Sequence, residues 1–395
     1  MRRSFALDWV SGSLRGSLDD DEPSFTFERD DGMVRSVPGG AILGGDPFHV
    51  LGDLLDGDPA TTWVGWFGYA ARADLPGRTV LGVPDAVWMR TRATWRPGRV
   101  RKPSPQQPFP HSTHVGPVPE RYRHAFAEVQ EHLHAGNSYE VNLTRRVPLG
   151  TGGEPAAAYQ RLRALNPAPY AAHLHHDGID LVAASPECFV RVVPSPGGRR
   201  IVSRPIKGTT PRGATPEQDA VHRRRLAEDA RFRAENLMIT DLVRNDLSTV
   251  CRPGTVKVTA LMQVEAHPSV HQLVTTVEGL LRDDVSTTDA LRALFPAGSM
   301  TGAPKLRTME IIDAVEESPR GLYAGAYGWV RGDGAAELAV VIRSLVHTAA
   351  GWTAGTGGGI TVHSDVTGEW AESEWKVRRL RDVLSADGTV LPGAG

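Results

Sequence analysis

The chain has little of what marks secreted, membrane-bound or nucleic-acid-binding proteins. It contains two cysteines, Cys188 and Cys251, too few for a disulfide framework or a cysteine-rich metal site. No apolar run approaches the ~20 residues of a membrane-spanning helix, and Asp8 interrupts the short apolar stretch near the N-terminus, which makes a poor signal peptide. Its 44 Lys and Arg against 46 Asp and Glu leave no basic footprint for nucleic acid. We therefore expect a cytoplasmic protein that binds neither membranes nor nucleic acids.

The composition otherwise is that of a globular protein with a large core. Hydrophobic residues make up 40% of the 395 residues, and the mean hydropathy is −0.27. Seven prolines lie between Arg96 and Pro119, counting Pro119 itself. Because proline fixes φ and lacks a backbone donor, this stretch predicts a connector. We expect a reduced N-terminal region over 1–95, a proline-rich connector over 96–118, a main region over 119–387 and a tail over 388–395.

The hydrophobic pattern predicts groups of neighbouring strands separated by well-spaced helices. A helix over 119–134 is indicated by Tyr122, Phe126, Val129 and Leu133, which fall on one face. The other predicted elements are helices over about 216–247, 304–317 and 369–386, and strands over 62–69, 179–184, 189–193, 200–205, 255–265, 271–281, 322–330, 336–347 and 352–363. Runs of adjacent strands favour antiparallel sheets over alternating βαβ units.

One carboxylate falls on an apolar helix face. Glu235 shares the predicted stripe of Phe232 and Ile239. A buried carboxylate without a partner is strongly destabilising or becomes protonated, so Glu235 needs a cation, a metal or a donor. A salt bridge to a core arginine such as Arg244 would satisfy it, and so would a metal ion.

A second helix repeats this feature. Glu369, Glu372 and Lys376 lie at spacing i, i+3, i+7 on the face that continues to Leu380. Carboxylate oxygens from two helices suit Mg²⁺, which usually takes one or two carboxylates together with water or substrate oxygens. A solvated face supported by i, i+4 pairs is the alternative.

Lys207 is the candidate nucleophile. It lies in Ser203–Thr209, where a strand is predicted to end in a glycine turn. A lysine becomes nucleophilic when burial or nearby cations lower its pKa into the neutral range. Spacing alone does not distinguish this role from that of a surface charge.

Two glycine-dense stretches are predicted as turns. Gly355–Gly359 follows one predicted strand and precedes another, which suits close approach of backbone N–H groups to an anion. Pro296–Lys305 opens a helix, but Gly298 and Gly302 are too close together and Lys305 is misplaced for a phosphate loop. We therefore do not predict nucleotide binding, and either stretch could be a turn without a ligand.

Several short motifs occur in collinear order over about 119–387. They are Ser185–Phe189, Pro205–Thr209, Ala234–Leu247, His271–Val274, Gly302–Lys305, Arg320–Tyr323, Gly357–Ile360 and the E-x-x-E-x-x-x-K of Glu369–Lys376. Together they resemble the chorismate-utilising enzymes, which include anthranilate synthase component I, aminodeoxychorismate synthase component I and the isochorismate and salicylate synthases. The first hundred residues are similar to that family mainly at Gly65–Tyr69. The resemblance implies an α+β fold of large antiparallel β-sheets packed face to face as a sandwich, with helices on the outside.

The resemblance also implies a site for chorismate. Glu235 and Glu372, with Glu369 nearby, would hold Mg²⁺ against the ring carboxylate. Glu187 aligns with the general acid that protonates the departing 4-hydroxyl. The remaining residues implied for substrate binding are Thr209, His271, Gly302, Tyr323, Arg343, Gly357, Gly358, Gly359 and Lys376.

Two positions distinguish among the members that this chain resembles. Aminodeoxychorismate synthases are similar to it in having lysine at Lys207; the lysine would attack C2 of chorismate before ammonia attacks C4. Lys207 must then be neutral, which we expect burial and neighbouring Arg or Lys charges to favour. Glu140 stands where water-adding members have lysine and many ammonia-using members have glutamine. We expect Glu140 to accept a proton from, or hydrogen-bond, incoming ammonium.

The source of ammonia is expected to be another protein. Neither cysteine has the glycine-flanked context of a glutaminase nucleophile, and each is interpreted as a small packing residue. We therefore expect a separate glutamine amidotransferase subunit. The alternative enzyme is anthranilate synthase component I or a pathway-specific relative that makes another aminated chorismate or isochorismate. The non-enzyme alternative is an idle regulatory subunit that binds chorismate or tryptophan.

Overall fold

Strands dominate the described part of the chain. The computed structural model describes residues 3–9, 12–97, 116–267 and 270–385. The strands are β1 (Arg3–Trp9), β2 (Gly12–Leu18), β3 (Ser24–Glu28), β4 (Met33–Val37), β5 (Ile42–Gly44), β6 (Thr62–Phe67), β7 (Ala86–Thr91), β8 (Arg96–Pro97), β9 (Glu140–Pro148), β10 (Tyr170–His176), β11 (Ile179–Ser185), β12 (Cys188–Ser195), β13 (Gly198–Arg204), β14 (Ile206–Pro211), β15 (Lys257–Ala266), β16 (Val270–Leu280), β17 (Gly302–Ala303), β18 (Ala326–Arg331), β19 (Ala336–Val340), β20 (Ser344–Thr348) and β21 (Gly351–Ile360).

Helices occur singly or in pairs between groups of strands. They are α1 (Pro47–Asp53), α2 (Glu120–His134), α3 (Pro155–Leu165), α4 (Pro216–Glu228), α5 (Ala230–Val250), α6 (Thr287–Leu294), α7 (Lys305–Val315) and α8 (Val366–Ser385), with a 3₁₀ turn at Gly298–Met300. Helix α2 buries Tyr122, Phe126, Val129 and Leu133, which confirms its predicted apolar face. Among the described helices, none is long and apolar enough to cross a membrane.

The strands form two large antiparallel sheets. One has nine strands in the order β17-β9-β21-β20-β11-β10-β1-β2-β8. The other has twelve, in the order β14-β16-β13-β12-β19-β18-β6-β7-β3-β4-β5, with β15 paired to β16. The sheets pack face to face through a shared core that includes Leu7 and Leu174 of the first sheet and Trp66 and Tyr327 of the second. Alternation along β6 explains this, because Trp66 faces the inner core while Phe67 faces the opposite side.

Helices cover the outer faces of both sheets. Helices α1, α5 and α6 pack on the twelve-stranded sheet, and α3 and α8 pack on the nine-stranded sheet. Helices α2 and α7 share a further core with β9. The predicted α+β sandwich with outer helices is therefore confirmed.

The expected boundary near residue 95 does not separate two bodies. Strand β6 pairs with β18 within the twelve-stranded sheet, and β1 pairs with β10 in the other. The N-terminal region thus supplies strands to both sheets of the main region. The tail over 388–395 and most of the proline-rich connector lie outside the described residues.

Three predicted elements differ from the structure. The helix over 216–247 is two helices, because Asp229 is extended and caps the N-terminus of α5. The strand over 336–347 is also two, since the chain leaves the twelve-stranded sheet after β19 and joins the nine-stranded sheet as β20. The strand predicted over 352–363 is confirmed as β21, and the turn that was also predicted at Gly355–Gly359 is wrong, because these glycines lie inside β21, paired with β9.

Candidate active site

A cavity of about 330 Å³ lies among β14, β21, α5 and α8. Most of the site residues expected from the sequence line it: Glu187, Lys207, Thr209, Glu235, Tyr323, Arg343, Gly357, Gly358, Gly359, Glu369, Glu372 and Lys376. They come from segments far apart in the chain, and the packing of the two helices against the strands brings them together. Acidic side chains, basic side chains and the backbone of glycines therefore line the same cavity.

Lys207 on β14 is paired with Glu140 on β9. Its ammonium group donates a hydrogen bond to Oε1 of Glu140, and only 11% and 1% of the two side chains are exposed. Burial alone would lower the pKa of Lys207, but the charge of Glu140 and its hydrogen bond outweigh burial, so the pKa is raised. The expectation of cationic neighbours that keep Lys207 neutral is therefore wrong, because the neighbours that act on it are carboxylates.

Glu187 lies between β11 and β12 and is buried. Ser299, in the 3₁₀ turn, donates a hydrogen bond of 2.6 Å to Oε1 of Glu187. Burial raises the pKa of Glu187 to about 7, while the Ser299 hydrogen bond and the charge of Lys207 oppose the rise. A carboxyl group that exchanges its proton near neutral pH suits general acid catalysis.

Three carboxylates line the side of the cavity formed by α5 and α8. Arg231 bridges two of them, with Nε 3.0 Å from Oε1 of Glu235 and Nη2 2.8 Å from Oε1 of Glu369. Burial raises the pKa of both carboxyl groups. The ammonium of Lys376, 2.6 Å from Oε1 of Glu372, instead lowers the pKa of Glu372. Arg231 is thus the partner of Glu235, whereas Arg244 pairs with Asp241.

The donor chemistry of these carboxylates fits Mg²⁺. No group of three or more His, Cys, Asp or Glu side chains within the described ranges is arranged to hold a metal ion. Even so, Glu235, Glu369 and Glu372 present hard oxygens to one cavity, which is the ligand type that Mg²⁺ prefers. The guanidinium of Arg231, with 47% of its side chain exposed, lies between Glu235 and Glu369.

The glycines of β21 form a wall of the cavity at backbone level. A Cβ atom at Gly359 would lie 2.1 Å from Oε1 of Glu140 and 3.0 Å from Nζ of Lys207. A Cβ atom at Gly355 would lie 2.0 Å from the ring of Tyr323. The absence of side chains therefore leaves room for the ion pair and for the tyrosine, and Lys376 donates to the carbonyl of Gly357 at 2.8 Å.

Arg343 lies where the chain passes from one sheet to the other. Its φ of 51° is in the left-handed region that non-glycine residues rarely adopt. Its guanidinium lies 5.1 Å from the ring centre of Trp375, which also lines the cavity. This fixed cation and the neighbouring Tyr323 suit an anionic ligand.

Two residues expected to bind substrate are not among the described residues that line the cavity. His271 is buried, with Nε2 2.9 Å from Oδ1 of Asp219, and the next residue on β16, Gln272, lines the cavity instead. Successive side chains on a strand point to opposite sides, so one of these two residues turns away. Gly302 pairs with β9, and a Cβ atom there would lie 1.9 Å from the carbonyl oxygen of Glu140. The absence of a side chain at Gly302 lets β17 pack closely against β9.

The cavity is also lined by four residues that the sequence did not predict as site residues, which are Ser299, Arg231, Gln272 and Trp375. Ser299 lies in the glycine-rich stretch Pro296–Lys305, which predicts a turn but no role for the serine. Arg231 and Trp375 are neighbours of the predicted acids along α5 and α8. Arg231 lies four residues before Glu235, and this i, i+4 spacing of opposite charges is its signal in the sequence.

Both cysteines are free and buried. Burial raises the pKa of Cys188 to about 12 and that of Cys251 to about 11. Thiols held in this way are poor nucleophiles at neutral pH. Their interpretation as packing residues is confirmed.

Curated relatives match most of this chain in sequence. The chain is 41% identical over 340 residues to an aminodeoxychorismate synthase of Streptomyces pristinaespiralis, which covers 85% of this chain and 46% of that protein. It is 41% identical over 267 residues to aminodeoxychorismate synthase component 1 of Klebsiella aerogenes, covering 68% of this chain and 58% of that protein. The chain thus spans about half the length of these curated relatives.

The fold is also found among solved structures. Anthranilate synthase component I of Streptococcus pneumoniae superposes with a TM-score of 0.76 at 22% sequence identity, covering 95% of this chain and 92% of that one. The profile of the family described as chorismate binding enzyme matches residues 85–382. With this match and the site geometry, the chain belongs to the chorismate-binding enzymes.

Proposed function

We propose that this chain aminates chorismate at C4 with ammonia and forms 4-amino-4-deoxychorismate. The observation that carries the proposal is Lys207, a buried lysine in the cavity beside the protonatable Glu187. The relatives at about 40% identity that are named aminodeoxychorismate synthases support it.

Chorismate is a dicarboxylate, and the cavity offers separate positions for two anionic groups. Arg343, Tyr323 and Lys376, together with the backbone of β21, would bind the carboxylate of the enolpyruvyl side chain. Glu235, Glu369 and Glu372 would hold Mg²⁺, which would supply positive charge for the ring carboxylate. The carboxylates by themselves would repel that group.

The covalent step requires Lys207 to lose a proton. Glu140 is in hydrogen-bond contact with it and is the acceptor, so the ion pair becomes a neutral amine and a carboxylic acid. The amine attacks C2, both conjugated ring double bonds shift, from C1=C2 and C5=C6 to C1=C6 and C4=C5, and the C4–O bond breaks as Glu187 protonates the departing hydroxyl to give water. Ammonia then attacks C4, both double bonds shift back, and the C2–N bond breaks to release Lys207. Two allylic displacements replace one difficult substitution.

Ammonia would come from a separate glutamine amidotransferase subunit in the cytoplasm. The buried, high-pKa cysteines support this, since neither can serve as a glutaminase nucleophile. One relative is named component 1, which is consistent with a second component. Purified chain that used glutamine unaided would contradict this part of the proposal. The role expected of Glu140 toward ammonium stays a prediction.

The test is incubation of the purified chain with chorismate, Mg²⁺ and an ammonium salt, followed by mass analysis of the products. We expect 4-amino-4-deoxychorismate without release of pyruvate. Anthranilate together with pyruvate would refute the proposal. Chorismate binding without turnover would instead favour a regulatory subunit.

Lys207→Ala tests the covalent step. We expect formation of 4-amino-4-deoxychorismate to fall by roughly 10³-fold or more, because loss of a nucleophile removes the covalent pathway. A mass increase on the protein during turnover should also disappear. Lys257→Ala, at an exposed lysine of β15, is the matched control and should behave as the unaltered chain. Unchanged turnover in Lys207→Ala would remove the covalent intermediate from the mechanism.

A further inference from the structure

A smaller side cavity shares a wall with the main cavity. Its volume is about 40 Å³, and Gln272, Arg343 and Trp375 line both spaces. Farther from the main cavity it is bounded by the loop 166–169 and by Arg379 on α8, which are half-buried, so it extends toward the surface. A volume of this size has room for roughly three water molecules. The side cavity therefore admits a small ligand and is too small for chorismate.

The charged side chains of the side cavity favour an anion. Arg343 and Arg379 contribute two guanidinium groups, and among the described residues that line it none is an aspartate or a glutamate. Arg379 is held in place by the carbonyl of Leu165, to which its Nη1 donates a hydrogen bond of 2.9 Å. Burial and the nearby charge of Arg343 lower the pKa of Arg379 to about 10, although Asp382 opposes this change. An anion between the two guanidinium groups would offset their mutual repulsion.

Gln272 brings a polar group without a partner to the wall between the two cavities. Its side chain is buried, and its amide oxygen accepts no hydrogen bond from the part of the chain that the structure describes. A buried polar group that lacks a partner is costly. Rotation of the amide exchanges its oxygen and nitrogen, so Gln272 can turn an N–H donor toward the side cavity. A bound anion would supply the missing partner.

The rest of the lining selects among anions. Its apolar part includes Pro167, Ala168, Pro169, Ala184 and Val270. The forked donors of a guanidinium group match the two oxygens of a carboxylate, and apolar side chains suit a methyl or short alkyl group. A phosphate ion has oxygens on every side and would lose hydration against these residues. The chemistry of the lining therefore fits a small monocarboxylate such as acetate.

We propose that the side cavity is a second anion-binding site, which holds a small monocarboxylate between Arg343 and Arg379. One consequence rests on the proposed function, which assigns Arg343 to the enolpyruvyl carboxylate of chorismate. A carboxylate in the side cavity would neutralise part of the charge of Arg343 and weaken chorismate binding. It would leave the main cavity free, so inhibition should reach a plateau and not become complete.

Saturation-transfer NMR with acetate as the probe measures binding without any need for turnover. We expect transfer to the acetate methyl protons in the unaltered chain, and binding at least about tenfold weaker in Arg379→Gln, because a charge-assisted donor is lost. Arg379→Lys keeps the charge and should bind acetate more tightly than Arg379→Gln. Arg378→Gln is the matched control, since the adjacent Arg378 of α8 is not among the described residues that line either cavity. It should bind acetate as the unaltered chain does.

Ala168→Val tests the same position by steric means. Ala168 lines the side cavity and is not among the described residues that line the main one. Two added methyl groups would take up part of the space, and we expect acetate binding to weaken at least about fivefold. Circular dichroism and thermal unfolding report whether each variant folds. Displacement of acetate by an equal concentration of phosphate would overturn the assignment to a carboxylate.

Kinetics at constant ionic strength test the coupling to chorismate. Acetate should raise the KM for chorismate to a plateau in the unaltered chain and have little effect in Arg379→Gln. If folded Arg379→Gln and Ala168→Val bind acetate as tightly as the unaltered chain, acetate binds elsewhere, the side-cavity site is wrong and the proposed function stands. If the chain does not aminate chorismate but acetate binding still depends on Arg379, the proposed function is wrong and the site stands.

Discussion

The proposed chemistry depends on the protonation state of one side chain, Glu187. Burial holds the pKa of this carboxyl group at about 7, so both protonation states are accessible in the neutral range. Lys207 differs, because Glu140 raises the pKa of Lys207, so the lysine stays protonated until the reaction begins. The site therefore contains an acid that is readily protonated, Glu187, and a nucleophile that needs a base to remove its proton, Lys207.

Ser299→Ala should shift the pH profile. The Ser299 hydrogen bond stabilises the carboxylate of Glu187, so its loss raises the pKa of Glu187 above about 7. The acid then stays protonated to higher pH, and we expect the alkaline limb of kcat/KM to move up by roughly one unit. Steady-state kinetics between pH 6 and 9, a range set by that pKa, measure this.

The control for this variant is Ser373→Ala. Ser373 lies in α8, and its buried hydroxyl donates a hydrogen bond to the carbonyl of Trp370. Its alkaline limb should not move. An unmoved limb in Ser299→Ala as well would show that Glu187 is not the group that the profile reports.

Gly359→Ala should inactivate a folded chain. Its Cβ atom would overlap Oε1 of Glu140 and press on Nζ of Lys207, at 2.1 and 3.0 Å. We expect turnover to fall by about 10²-fold, as displacement of a reacting group by an ångström does. Gly152→Ala is the control, because no atom lies within 4 Å of the added methyl group there. Full activity of Gly359→Ala at unchanged thermal stability would contradict the placement of the ion pair.

At the scale of elements, three strands of the nine-stranded sheet carry a charged ladder. Asp180 on β11 lies opposite His175 on β10 and His347 on β20. Its Oδ1 is 2.8 Å from both Nε2 of His173 and Nδ1 of His175. Burial opposes ionisation of Asp180, but the two histidine hydrogen bonds lower its pKa, and the hydrogen bond to Asp180 raises the pKa of His175. The ladder cross-links neighbouring strands.

This ladder should make stability depend on pH. The lowered pKa of Asp180 contributes stability above 3.8 that is lost as pH falls through the folded value. The raised pKa of His175 contributes stability that is complete below 6.5 and lost as pH rises through the folded value. The contribution of the pair is therefore greatest between these two pH values.

Asp180→Asn should lower the free energy of unfolding in that window by roughly 1–3 kcal/mol, because two half-buried imidazole donors lose a charged acceptor. Urea unfolding between pH 4 and 8, which brackets the window, measures the difference. Asp31→Asn is the control, since its carboxylate is exposed on a loop and pairs with Arg35. Equal pH dependence of stability in the unaltered chain and Asp180→Asn would contradict the role of the ladder.

At the scale of the whole molecule, the first hundred residues contribute strands to both sheets. Strand β6 lies between β18 and β7, and β1 lies between β10 and β2. Removing these strands would expose new edges and open the core that Leu7 and Trp66 share with the rest of the sandwich.

A chain that begins at Pro117 should therefore not fold cooperatively. We expect it to lack a sharp thermal transition and to expose apolar surface, whereas the full chain in the same assay should unfold in one transition. Adding residues 1–97 as a separate fragment should restore some of the transition. A cooperative transition of the shortened chain alone would show that the main region is an independent domain.

Local patterns were enough to identify the family, the buried cysteines and the buried face of α2, and to predict four carboxylates that line the main cavity, Glu187, Glu235, Glu369 and Glu372. They also indicated antiparallel sheets, because strand and helix periodicity is a property of neighbouring residues. The density of glycines wrongly predicted a turn at Gly355–Gly359. These glycines lie in a strand whose backbone closely approaches the side chains of Glu140 and Tyr323. Local patterns also could not place His271, since the side of the sheet that it faces depends on register.

The pairings that govern reactivity join residues far apart in the chain. Lys207 meets Glu140 across 67 positions, and Glu187 meets Ser299 across 112. Residue types alone indicated which groups are chemically capable. Their protonation states depend on which strands and helices pack together, because burial and the nearest charge, not sequence spacing, set a pKa.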